Sequence, residues 1–184
     1  MSYRPITDMW ILARAKLKGG AKYYGAYLGG FPERVRALLG APLDCPVLHV
    51  CGGMAKRYPY KRGFGPFDMT LDLDPATEPD FLQDARAPLP PNPCGNAEWE
   101  AILIDPPYSE ADAAHYVPGA AKYPSPNLLL KNALVAVAPH GRVGIIHYLL
   151  PSPPKGSVFV AAVGVICGFN NRIRIYSVFE RGSN

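Results

Sequence analysis

Four short, largely apolar runs, each stopped by glycine or by an acid, set the terms on which this chain can fold. Pro46 to Val50 enters Cys51-Gly52-Gly53, Met69-Thr70-Leu71 ends in Asp72, Phe81-Leu82-Gln83 in Asp84, and Trp99 to Ile104 in Asp105. Runs of this size, bounded by turn residues, fit buried strands better than helices. Three more strands are expected at Arg142 to Leu150, Ser157 to Cys167 and Arg172 to Phe179, the last two joined by the turn signal Gly168-Phe169-Asn170-Asn171. Phe31-Pro32-Glu33 opens a short helix, with Val35, Leu38 and Leu39 at helical spacing and Gly40 as its stop; Asn127 to Ala138 reads as a second, closed by Pro139-His140-Gly141. Strands alternating with helices or long loops, then an antiparallel pair, give one α/β sheet, mostly parallel, with a C-terminal antiparallel hairpin. The 184 residues suit a single domain, with a basic, helix-bearing N-terminal segment over 1–44 and the sheet core over 45–184.

Composition narrows the class. Apolar residues make up 48% of the chain and charged residues 18%, which excludes a disordered, solvating polymer. With 21 prolines and 18 glycines the chain is loop-rich but globular. Its longest strongly apolar run, Val158 to Phe169, has 12 residues, where a membrane helix needs about 20. Met1-Ser2-Tyr3-Arg4-Pro5 does not read as a secretory signal. Cys45, Cys51, Cys94 and Cys167 form no C-x-x-C pair, and His49, His115, His140 and His147 are scattered. A reduced, cytoplasmic setting without a metal site is the expectation.

Charge is segregated. Seven basic residues face two acids before Gly40, and Lys56, Arg57, Lys61 and Arg62 are interleaved with Tyr58, Tyr60, Phe64 and Phe67. That mixture suits a polyanion with stackable bases, so Lys56 to Arg62 is the candidate nucleic-acid surface. From Asp68 to Asp112 eleven acids stand against Arg86 alone. Such a run would repel a polyanion and suits a separate pocket for a cationic ligand.

In parallel sheets ligands sit beyond the carboxyl ends of the strands, and the residues gathered there carry chemistry. Gly52-Gly53 lets backbone approach a ligand closely. An acid about 20 residues later, at Asp72, suits the two hydroxyls of a ribose. Asp74 and Asp84 follow, then Asp105-Pro106-Pro107-Tyr108 directly after a strand.

Val47 to Ala55, Asp72-Leu73-Asp74-Pro75, Asp84-Ala85 with Leu89-Pro90, and Asp105 to Tyr108 resemble successive motifs of the class I S-adenosylmethionine-dependent methyltransferases. The D-P-P-Y sequence is similar to that of amino-methyltransferases acting on nucleic-acid bases, adenine above all. The resemblance spans Val47 to Leu150 and implies a Rossmann-like core. It places Cys51, Gly52 and Gly53 beside the methionine part of the cofactor, Asp72 or Asp74 on its ribose and Asp84 on its adenine amino group. Lys22-Tyr23-Tyr24-Gly25 loosely resembles a further cofactor-side motif, which adds Tyr24. The pattern is departed from at His49, where the family often has an acid, and at Ala55, where a last glycine is common.

The chemistry of D-P-P-Y can be argued from the residues. An exocyclic amino nitrogen is a poor nucleophile because its lone pair is delocalised. Asp105 and the carbonyl of Pro106 can accept both amino hydrogens and draw the nitrogen toward tetrahedral geometry. Pro106 and Pro107 fix the backbone, and Tyr108 can stack on a base taken out of its strand. The expected function is methyl transfer from S-adenosylmethionine to an exocyclic amino group, adenine in DNA first. RNA, a protein glutamine, or a non-catalytic nucleic-acid-binding subunit on the same fold are the alternatives. No inserted recognition domain is evident, so specificity would come from loops, a partner chain or a homo-oligomer.

Overall fold

The computed structural model describes residues 4–13, 27–57, 63–116, 123–168 and 172–183. In chain order these form β1 (Ile6–Leu12), α1 (Phe31–Leu39), β2 (Val47–Val50), β3 (Met69–Asp72), β4 (Phe81–Leu82), β5 (Trp99–Ile104), α2 (Glu110–Tyr116), α3 (Pro126–Ala136), β6 (Val137–His147), β7 (Ser157–Cys167) and β8 (Ile173–Arg181). They build one sheet in the order β1-β7-β8-β6-β5-β2-β3-β4. β8 runs antiparallel to both β6 and β7, and every other pairing is parallel. The sheet is therefore the mixed, mostly parallel α/β sheet with an antiparallel C-terminal pair that the sequence implies.

Burial explains the centre. β2 is buried at all four positions and β5 at every position but Glu100, as parallel strands covered on both faces require. On one face Phe31, Val35 and Leu39 of α1 pack with Trp10, Val47, Leu103 and Tyr176. On the other, Leu129, Leu130 and Ala133 of α3 pack with Leu48, Ile102, Ile104 and Ile145. Gly40, at φ 67°, ends α1 and donates its N–H to the Ala37 carbonyl, a left-handed stop that glycine takes without strain. Among the described residues no helix is long and apolar enough to cross a membrane.

Two expectations need correction. Pro139-His140-Gly141 does not separate a helix from a strand: α3 stops at Ala136 and β6 begins at Val137. Trp99 already faces Val137, and the next matched pair is Ala101 with Arg142, so the proline segment is absorbed as an irregularity within the strand, with His140 at φ 63°. β6 also ends at His147 rather than Leu150, where the His147 ring accepts the Leu149 N–H and the chain bends away. The sequence reading also passed over β1, which pairs with β7 along its whole length. Only Trp10 and Leu12 of its seven residues are buried, so the strand shows little of the period-two pattern.

One acid of the acidic run is interior. Asp68 accepts the backbone N–H of Val47 at 3.0 Å and of Gly65 at 2.7 Å, the Arg36 guanidinium at 3.2 Å and His49 Nε2 at 3.2 Å. With Nε2–H donated to the carboxylate, His49 Nδ1 accepts the Tyr27 hydroxyl at 3.0 Å. Arg36 also donates to the carbonyls of Leu43 and Cys45. Asp68 thus ties α1, the loop before β3 and the start of β2 together, and serves no pocket. Removing one member of a buried pair strands the other charge, at a cost of about 3–5 kcal/mol. Asp68→Ala should lower the unfolding free energy by about that amount, read from urea denaturation followed by tryptophan fluorescence. A loss under about 1 kcal/mol, the worth of an exposed pair, would remove Asp68 from this role.

Candidate active site

From β2 the chain moves outward through β3 and β4, then returns to place β5 on the other side of β2. The reversal opens a crevice at the carboxyl ends of β2 and β5. Cys51, at φ 56°, and Gly52 turn the chain there. A Cβ on Gly52 would lie 2.9 Å from the His49 carbonyl oxygen, so position 52 admits a side chain only if the backbone shifts. The Gly52 N–H donates to the Leu71 carbonyl and the Gly53 N–H to Asp72 at 2.8 Å. The other Asp72 oxygen accepts the Asp74 N–H at 3.0 Å. Burial raises the Asp72 pKa while these N–H bonds oppose the rise. The glycine turn and its acid, 19 residues apart in sequence, are therefore in direct contact.

The remaining acids divide by partner. Asp74 accepts the Ala76 N–H and caps the 3-10 turn Pro75–Thr77. Asp84 is gripped by Arg86, whose Nε lies 2.9 Å from one carboxylate oxygen, and this bond lowers its pKa. Asn132 of α3 holds the carbonyl of Arg86 at 2.9 Å, which docks the segment on the sheet. Cys51 sits within the fields of Asp72, Asp105 and Asp84; burial first, then those charges, push its thiol well above the ordinary value. It is a half-buried neutral thiol that feels the charge of three acids named from the sequence.

Asp105 follows β5 and donates its N–H to the Val50 carbonyl, which anchors it beside β2. Loss of solvent raises its pKa to about 6, opposed by the Tyr108 hydroxyl and by Arg174. The Tyr108 hydroxyl donates to Asp105 at 2.6 Å. Pro106 is buried and Pro107 half-buried between them. After Tyr108 the chain enters α2, where Ser109 Oγ accepts the Asp112 N–H and donates to its carboxylate. Tyr148 packs on Tyr108 with centroids 4.8 Å apart, and His147 meets it edge-on at 5.7 Å. The Arg174 guanidinium lies 4.9 Å from the Tyr108 ring centroid. One face of that ring is thus already covered, which narrows the base-stacking role expected for it.

His147 is fixed in one tautomer. Its Nδ1 accepts the Leu149 N–H, so Nε2 carries the proton toward the Tyr123 hydroxyl. Burial lowers its pKa and keeps the ring neutral. Tyr123 and Arg174 were not foreseen from sequence. The one clue to Arg174 was its place in Ile173-Arg174-Ile175-Tyr176, two residues from a tyrosine that is fully buried.

The basic stretch is only partly in view. Lys56 pairs with Asp80, and this bond helps to hold the Asp80 pKa down against burial. Arg57 closes the 3-10 turn Ala55–Arg57. Phe64 is half-buried, its ring tilted against His49 at 4.8 Å and packed against the core. Tyr58, Tyr60, Lys61, Arg62 and Tyr24 lie outside the described residues.

No protein family and no curated protein matches the chain by sequence. Solved structures match it by fold. TrmN from Thermus thermophilus superposes with a TM-score of 0.59 at 21% identity, over 84% of this chain and 49% of that one. The chain therefore spans about half the length of TrmN. An rRNA methylase from Streptococcus thermophilus gives 0.50 at 8% identity, over 82% of this chain and 95% of that one. SMU.1697c from Streptococcus mutans, solved in complex with SAH, gives 0.50 at 11% identity, over 81% and 96%. At these identities the likeness is one of fold: the chain has the Rossmann-like fold of the class I S-adenosylmethionine-dependent methyltransferases.

Asp105 should reveal itself in stability. Its folded pKa of about 6 exceeds the ordinary 3.8, so the folded state binds this proton more tightly than the unfolded chain does. The resulting stabilisation is full below about pH 4 and is lost as pH rises through about 6. A difference of about two units corresponds to ~3 kcal/mol. Asp105→Asn, which still accepts from Tyr108, should therefore raise the unfolding free energy at pH 8 by about 1–3 kcal/mol and change it little at pH 3.5. An equal effect at both pH values, or a loss at pH 8, would contradict the desolvated carboxylate.

Proposed function

We propose that this chain is an S-adenosylmethionine-dependent methyltransferase whose acceptor is an exocyclic amino nitrogen of a nucleic-acid base. The observation that carries the reading is Asp105, a desolvated carboxylate at the crevice between β2 and β5, followed by two prolines and a tyrosine bonded back to it. The donor set fits the cofactor of this fold: the charges felt at the Cys51 turn are those of Asp72, Asp105 and Asp84, which suit a sulfonium cation and the hydroxyl and amino donors of a nucleoside. S-adenosylmethionine, when bound, supplies an electrophilic methyl group.

The chain's own residues do the rest. Asp72, pinned by the N–H groups of Gly53 and Asp74, keeps acceptor capacity for ribose hydroxyls. Asp84, held ionised by Arg86, is the acceptor for the adenine amino group, and the Cys51-Gly52-Gly53 turn borders the methionine part. Asp105 and the Pro106 carbonyl take the two hydrogens of the acceptor amino group, which localises its lone pair. Asp105 is mostly ionised near pH 7.5 and basic enough to receive the proton that leaves the methylated nitrogen. Alignment and preorganised charge supply the gain, without a covalent intermediate.

Adenine in DNA remains the first acceptor, on the D-P-P-Y pattern. RNA is the second reading, supported by an rRNA methylase among the structures that share the fold. The nucleic acid would be held by Arg57, Tyr58, Tyr60, Lys61 and Arg62, with Lys56 contributing once released from Asp80.

Asp105→Ala should abolish methyl transfer to DNA or RNA while S-adenosylmethionine affinity stays within about twofold, since the carboxylate serves the acceptor. Calorimetry and turnover on one preparation decide it, and unchanged turnover would sink the assignment. Asp72→Ala leaves ligand hydroxyls unpaired at about 1–3 kcal/mol, so cofactor affinity should fall roughly five- to hundredfold. Equal affinity would take Asp72 out of the site.

A further inference from the structure

We propose that Arg174 is a positioning residue for the acceptor carboxylate: it braces the Tyr108 ring so that the hydroxyl stays on Asp105, and it sets a positive charge opposite that carboxylate. The assignment rests on the methyl-transfer reading only for its consequence in catalysis.

Topology brings Arg174 to the site. β8 is the antiparallel strand, so its first residues stand at the rim where β5 and β6 end. Arg174 shares a sheet face with Tyr176, two residues on, which is fully buried against Trp10 and Phe31. The backbone therefore sets the half-buried Arg174 side chain on the α1 side of the sheet, close enough to Asp105 for its charge to be felt there. There it covers the Tyr108 ring at 4.9 Å, while Tyr148 packs on the same tyrosine at 4.8 Å. A cation over an aromatic face is attracted to it, more strongly where water is excluded.

The guanidinium also bonds the Tyr148 side chain. Among the described residues Arg174 makes no ion pair, and its buried Nε has no hydrogen-bond partner. Around Asp105 and Tyr108 stand Cys51, Asp72, Tyr116, His147 and Tyr148. The thiol and the imidazole are neutral, and Asp72 can add only negative charge. A second cation, Arg172, donates to the Tyr148 hydroxyl at 3.4 Å, while the Arg174 charge acts with the Tyr108 hydroxyl to hold the Asp105 carboxyl pKa down against desolvation. Burial of Arg174 is in turn offset by Tyr108 and Asp105, which raise its own pKa.

The test is carboxyl-carbon NMR of protein labelled with 13C-aspartate, the Asp105 resonance being identified by its loss in Asp105→Asn. The wild type should titrate near pH 6. Arg174→Gln should raise the midpoint by about one unit, the lower end for loss of a close opposite charge. Arg174→Lys, which keeps the charge but not the planar group over Tyr108, should lie closer to the wild type than Arg174→Gln does. In the methyl-transfer assay Arg174→Gln should be slower by about fivefold at pH 6 and about twofold at pH 7, converging with the wild type at higher pH. Affinity for S-adenosylmethionine should not change. An unmoved Asp105 midpoint in Arg174→Gln, or a Lys variant that titrates like Gln, overturns the proposal. A wild type that transfers no methyl group defeats the methyl-transfer reading instead, and the titration still judges Arg174.

Discussion

Everything at the carboxyl end of β2 depends on a carboxylate at its other end. Asp68 accepts the Val47 N–H where β2 begins and the Gly65 N–H in the loop that leads to β3, while Arg36 reaches it from α1 and His49 from inside β2. Four donors on one buried acid fix the height of β2 against α1 and β3. With β2 set, the Cys51-Gly52-Gly53 turn emerges where the Gly53 N–H can meet Asp72 and where Asp105 can bond to Val50. A polar cluster of this kind is expensive when incomplete. His49 is part of it, which explains a histidine where the resembled family often has an acid: the ring faces Asp68 and Tyr27, on the α1 side.

The site inverts that logic. Around Asp68 every charge is answered at close range, whereas at the site only Asp84 has an ion-pair partner, Arg86, among the described residues, and Asp72, Asp84 and Asp105 all bear on one neutral thiol at Cys51. Like charges gathered in a crevice destabilise the folded chain and are kept where a cation is to be bound. Asp105 lies at the balance point. Desolvation lifts it, Tyr108 and Arg174 pull it back, and the outcome of about 6 leaves a carboxylate both ionised and basic near neutral pH. The same tyrosine is braced by Arg174 and walled by Tyr148 and His147. The Tyr108 ring is thus part of an aromatic wall, with one face already in use.

How much of this the sequence discloses depends on how local the cause is. Trp99–Ile104 is apolar, β-rich and sharply stopped, and its bounds were legible to the residue. So was the Gly40 stop of α1. The β6 start was not, because Pro139-His140-Gly141 reads locally as an ending, while pairing of Val137 with Trp99 pulls it into the strand. β1 escaped because an edge strand buries too few side chains to write a pattern. At the site, the glycine turn and the acids at strand ends were legible as spacing. What was not legible is which charges find each other: Lys56 with Asp80, Asp84 with Arg86, and Arg174 over Tyr108, 66 residues apart. Asp84 and Arg86 meet within a local turn, but the other two pairings are made by topology, and the last of them became visible only once β8 was known to run against its neighbours.

The central claim, amino-directed methyl transfer, is tested most directly by where a labelled methyl group ends up. The protein is incubated with S-adenosylmethionine carrying a trideuterated methyl and, separately, with DNA and with RNA, and the polymers are digested to nucleosides for mass spectrometry. The account predicts the label on an exocyclic amino nitrogen, with N6-methyladenosine or its deoxy form as the principal product. Label on a carbon or on a ribose oxygen, or no label in either polymer from a protein that binds the cofactor, would contradict it.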